Sequence, residues 1–162
     1  MLMHAALGGV ALSAVFFALV LATIRFNPEI MLNDYPPDVR AKFGPISPRA
    51  KKQRAAVSLL FLAVLVLAAW LAANDLASLA PSFRYRHAFV YALVMMQVFN
   101  LLDWLVLDTA LVALQPKWMV LPGTEGLEGY RSYAFHFRGW VVGLFASTIA
   151  AALMALAMIA LR

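Results

Sequence analysis

Long apolar blocks alternate with short polar segments along this chain. Uncharged or nearly uncharged blocks of about twenty residues or more run over 5–24, 55–73, 88–114 and 139–161. At a rise of about 1.5 Å per residue, each is long enough to cross roughly 30 Å of hydrocarbon as a helix. None shows the alternation of a half-buried strand or the narrow apolar stripe of a surface helix. The pattern predicts an all-α integral membrane protein: a bundle of four transmembrane helices forming a single membrane domain over 1–162, with longer loops at 25–54 and 115–138. The first block reads as a retained span, because no Lys or Arg precedes it, it exceeds a signal-peptide core in length, and no small-x-small cleavage site stands before Arg25.

Composition agrees with lipid as the solvent. Hydrophobic residues make up 64% of the chain and charged ones 13%, about half the share usual in soluble domains; mean hydropathy is +0.82. Cysteine is absent, which excludes disulfides, thiolate metal sites, c-type haem attachment and thiol redox chemistry. The net charge of +5 resides largely in loops beside apolar blocks, so nucleic acid is not an expected partner. The 25–54 loop holds seven Lys and Arg and the 117–138 loop holds three, against Arg84, Arg86 and Arg162 on the other side. By the positive-inside rule both longer loops are cytoplasmic and both termini outside (N-out/C-out), in a cytoplasmic (inner) membrane. Within the first loop, Ser47-Pro48 has the form of an N-cap followed by proline at the first helical position, so the second helix is expected to begin before its apolar block.

The third block breaks the apolar pattern with Gln97, Asn100, Asp103 and Asp108. With Gln97 at zero and 100° per residue, Asp108 falls near roughly 20°, Asn100 near roughly −60° and Asp103 near roughly −120°, a single polar face. An Asp at the centre of a lone span costs about 2.5–3.5 kcal/mol, so protonation, a bound cation, a hydrated cavity or a charge partner such as His136 or Arg138 must compensate. For Gln97 and Asn100, interhelical hydrogen bonds are the simpler expectation.

The second loop carries Glu125, Glu128, Tyr130, His136 and Arg138. With Asp108 these could gather at the cytoplasmic face, where Asp108, Glu125, Glu128 and His136 have the chemistry for acid–base work on a lipid headgroup or for a divalent cation. Their spacing matches no metal motif, and an interfacial aromatic belt is the plainer account. No cofactor is predicted. Haem is disfavoured, because His87 and His136 fall on opposite sides of this topology. Gly123-Thr124-Glu125-Gly126 reads as a turn, since a phosphate loop needs more glycines and a Lys-Ser/Thr pair. Small residues recur every four positions at Ala5, Gly9 and Ser13 and at Gly139, Gly143, Ser147, Ala151 and Ala155. They predict close helix packing, chiefly within the bundle, with a homo-oligomer or a membrane-complex partner as the alternative.

Over Asn33-Asp34-Tyr35-Pro36-Pro37-Asp38, Asn100-Leu101-Leu102-Asp103 with Asp108, and Pro122 to Gly126 through Tyr133, Phe135, His136 and Phe137, the chain resembles a group of small, uncharacterised bacterial multispanning membrane proteins. The resemblance implies residence in a bacterial membrane and carries no activity with it. From the residues themselves the leading expectation is a small transport or permeability protein, or a membrane-complex subunit, using Asp103 and Asp108 for proton or cation handling. A membrane-embedded enzyme acting on lipid at the cytoplasmic face is the alternative, and a structural or accessory subunit the second alternative. Whether the chain is an enzyme stays open, with the non-enzymatic readings preferred.

Overall fold

A computed structural model describes residues 1–161; Arg162, counted in the charge balance above, lies outside the described residues. The described chain is all helical, and four of its helices have the length and apolarity of membrane spans: Leu2–Phe26, Pro48–Leu79, Tyr85–Leu114 and Tyr133–Ala160. We label the α-helices α1 (Leu2–Phe26), α2 (Pro37–Phe43), α3 (Pro48–Leu79), α4 (Tyr85–Leu102), α5 (Thr109–Leu114) and α6 (Tyr133–Ala160). A π-helical turn over Asp103–Asp108 joins α4 to α5, making the third span continuous.

Local chemistry explains where these helices begin. Pro48 occupies the first turn of α3, and the Ser47 hydroxyl accepts the Ala50 N–H at 3.2 Å. The Glu29 carboxylate in turn accepts from both the backbone N–H and, at 2.9 Å, the hydroxyl of Ser47. Helix α3 therefore starts seven residues before its apolar block. Helix α6 also starts early, because the Ser132 hydroxyl accepts the Phe135 N–H at 3.3 Å. His136 and Arg138, expected in a loop, stand instead in its first turns.

The third span is central, packing against α6 and α1, and α3 is peripheral. Within the most apolar stretch of each, 33% of the third span is buried against 11% of α3, so α3 presents most of its surface outward. Ala5 and Ser13 are buried, and a Cβ on Gly9 would lie 2.6 Å from the Met95 carbonyl oxygen, so α1 rests on α4 at backbone contact. Ser147, Ala151 and Ala155 of α6 are buried too, and a Cβ on Gly143 would lie 2.0 Å from Asn100 Oδ1. Small residues thus serve packing inside the bundle, as expected where helix association rests on close van der Waals approach.

At one end of the bundle the two longer loops form a second apolar cluster around Ile24, Leu32, Tyr35, Val39, Met119, Leu121 and Tyr130. The Tyr35 hydroxyl donates to the Met119 carbonyl at 2.7 Å, and the Asp38 carboxylate accepts the Gly129 N–H at 2.9 Å. Tyr130 accepts the Leu121 N–H at 3.0 Å and lies 2.7 Å from the Thr124 hydroxyl. These bonds dock one loop on the other and cap that end of the spans. At the opposite end, Asp75 of α3 joins His4 Nδ1 of α1 at 3.1 Å and accepts the Tyr91 hydroxyl of α4 at 2.7 Å.

Candidate functional site

Beneath the docked loops lies a cavity of about 490 Å³. It reaches from the exposed Asn33 and Asp34 of the first loop down to Phe16, Phe61 and Phe99 on three different spans. Those rings close its inner end, with Phe16 centred 5.1 Å from both Phe61 and Phe99. On α1 the floor is ten residues inside Phe26, so the cavity extends about 15 Å into the bundle. Its size falls in the range of small-molecule sites.

Three carboxylates stand in the wall: Asp34 from the first loop, and Asp103 and Asp108 from the two ends of the π-turn. An ordinary α-helix would set two residues five apart on faces about 140° apart. The π-turn takes an extra residue into the winding: the Thr109 N–H reaches the Trp104 carbonyl, five residues back, and the Thr109 hydroxyl donates to the same oxygen at 2.9 Å. Slower winding brings residues five apart toward one line, and Asp103 and Asp108 both face the cavity. Of the four polar residues of this span, Asn100, Asp103 and Asp108 border the cavity and Gln97 does not. Gln97 donates to the Leu144 carbonyl at 3.0 Å and the Thr148 hydroxyl at 3.1 Å, and Asn100 donates to the Trp140 carbonyl at 3.3 Å. Both amides tie α4 to α6, and Asn100 also borders the cavity.

Asp108 Oδ1 lies 3.1 Å from Nδ1 of His136, which α6 brings to the same wall. Arg138 is exposed and makes no ion pair among the described residues. Asp34 and Asp103 accept no hydrogen bond from the described residues. Although Asp34 has open surface, the protein packed around it raises its carboxyl above the ordinary value; Arg54 opposes this, Asp108 adds to it, and Arg40 opposes it. Burial likewise pushes the Tyr35 phenol up, helped by Tyr130 and Asp34, so it stays protonated and donating.

Glu125 and Glu128 are exposed and lie outside the cavity wall; Glu125 accepts its neighbour Gly123's N–H at 3.1 Å, as a turn residue does. No three His, Asp or Glu side chains converge on a metal-sized point among the described residues. The rest of the wall is aromatic and apolar. Trp104 stacks on Trp140 with ring centroids 4.9 Å apart, and Phe137 packs against both at 5.7 and 5.5 Å. The Trp140 indole N–H is buried without an acceptor.

Two features had little signal in the sequence. Asp34 sits among turn formers, and a lone loop carboxylate looks like surface. The His4–Asp75–Tyr91 cluster was hidden because Asp75 reads as the polar end of the second apolar block and Tyr91 as part of the third.

No protein-family model, no curated protein and no solved structure matches the chain. Function therefore rests on the chemistry of the cavity.

Proposed function

We propose that this is a small transport protein of a bacterial cytoplasmic membrane, which admits a cationic species from the loop side and uses Asp103 and Asp108 to exchange it with protons. The observation that carries this reading is a cavity entering halfway into the bundle, walled by three carboxylates of which two accept no hydrogen bond, and stopped by a ring of phenylalanines. Of these two, Asp103 belongs to the third span, and a carboxylate without a hydrogen-bond partner inside a membrane is costly unless water or a cation attends it. A cavity closed at one end is what an alternating-access protein presents in one of its states. An accessory subunit would satisfy these groups internally. The ten basic residues of the two loops against three elsewhere support a cavity mouth on the cytoplasmic side.

Purified protein in liposomes carrying a pH gradient tests this reading. Proton flux dependent on an added cation, reduced about tenfold or more in Asp103→Asn, is expected; equal flux in the variant and wild type, or none in either, would sink it. The Asp108–His136 pair favours a second reading, a lipid-acting enzyme in which Asp108 orients His136 as a general base. In the same liposomes, release of a lipid headgroup or acyl chain without flux is that reading's signature.

A further inference from the structure

We propose that the species held in this cavity is an organic monocation with a flat or bulky apolar body, such as a lipophilic amine or quaternary onium, rather than a bare metal ion. The inference rests on the transport reading above and names its cargo. Volume is the first ground: about 490 Å³ far exceeds what one dehydrated ion fills and suits a small molecule. The second is the placing of charge. Of the twelve Lys and Arg among the described residues, none stands in the cavity wall, whereas three Asp do. The wall therefore attracts cations, and His136, its one basic side chain, is already engaged by Asp108.

Third, the carboxylates are dispersed instead of convergent. Among the described residues no three acids or histidines meet at one point, so the wall offers no chelating cage of the kind a divalent ion takes. It offers distributed negative charge to a delocalised positive one. Fourth, eight aromatic side chains line the same space, from Phe16, Phe61 and Phe99 at the floor to the stacked Trp104–Trp140 pair beside Asp103. Aromatic faces hold quaternary and aryl cations through their quadrupoles, and they contribute most where water is excluded. A small hydrated inorganic ion would gain little from such rings and would have to give up its shell for carboxylates that do not converge.

The test is equilibrium binding to the intact protein in detergent or nanodiscs, with tetraphenylphosphonium as the probe and tetraphenylborate, its near-isosteric anion, as the control. Trp104 and Trp140 report occupancy by fluorescence, and calorimetry gives an independent reading. Saturable binding of the cation is expected, with affinity rising as pH is raised because protons compete for the same carboxylates, and with no comparable binding of the anion. Asp103→Asn should weaken binding about tenfold or more, and Trp140→Leu by about threefold to thirtyfold. Equal uptake of cation and anion by the wild type would mean hydrophobic partitioning and would overturn the proposal, as would no binding of either. That comparison uses no variant, so it stands even where a substitution impairs folding. If an inorganic cation drives Asp103-dependent proton flux and the onium ion does not bind, the transport reading survives and this cargo falls. If the onium ion binds through Asp103 but nothing is transported, the cargo class survives and transport falls.

Discussion

Asp34 is the residue whose protonation the surrounding protein controls most legibly. Enclosure raises its carboxyl, Arg54 and Arg40 hold it down, and Asp108 pushes it up. A carboxyl raised in the folded protein binds its proton more tightly there than in the unfolded chain. Stability is therefore greater below the ordinary carboxylate value and declines as pH rises from there through the raised one. Asp34→Asn removes this decline. Apparent melting midpoints in detergent, taken stepwise upward from about pH 4, should fall less in the variant than in the wild type; superimposable profiles would refute the linkage. Nothing in the sequence around Asn33-Asp34 distinguishes this group from a solvated turn residue, because its environment is supplied by Arg54 and Asp108, twenty and seventy-four positions away. Asp103 and Asp108 were legible for the opposite reason: a charge inside a long apolar block is conspicuous at its own position.

At the scale of elements, the four spans could be read from block length alone, and Ser47-Pro48 marked the start of α3 because capping is a local interaction. The π-turn was not legible. Counting at 100° per residue assumes a uniform α-helix, and Asp103-Trp104-Leu105-Val106-Leu107-Asp108 contains no proline or glycine to announce a change in winding. Its geometry has a direct test. Deleting Leu105, which is 49% exposed, should restore α-helical winding; positions 103 and 108 are then four residues apart, about 40° around the helix, so position 108 should stay on the cavity wall. Because the chain has no cysteine, single Asp103→Cys and Asp108→Cys substitutions can be labelled cleanly. With a charged maleimide, the deletion should leave labelling at 108, as at 103, within about threefold of the undeleted rate. Labelling at 108 slowed about tenfold or more by the deletion would show that the extra residue of the π-turn is not what aligns 103 with 108.

For the molecule as a whole, the polar groups divide between two ends, with the phenylalanine floor and Met95 between them. Asp34 and the cavity belong to the loop end, and His4, Asp75 and Tyr91 to the other. If the loops are cytoplasmic, as proposed, an impermeant thiol reagent should label Asp34→Cys in inverted membrane vesicles but not in intact spheroplasts, and His4→Cys in the reverse pattern. The opposite pattern would overturn the orientation, and the same sidedness for both positions would overturn the crossing of α1. The bonds that finish the loop end also differ in their reach along the chain. Glu29 and Ser47 are eighteen residues apart, whereas Tyr35 meets Met119 across eighty-four and Asp38 meets Gly129 across ninety-one. On a growing chain, the start of the second span can be secured almost as soon as it leaves the ribosome. The chamber has to wait: Tyr35 lacks its acceptor until the third span has been inserted, and Asp108 lacks His136 until the fourth helix begins to emerge. The chamber is therefore among the last parts of the protein to be built during synthesis, and a chain stalled after three spans would carry its acids into the membrane uncovered.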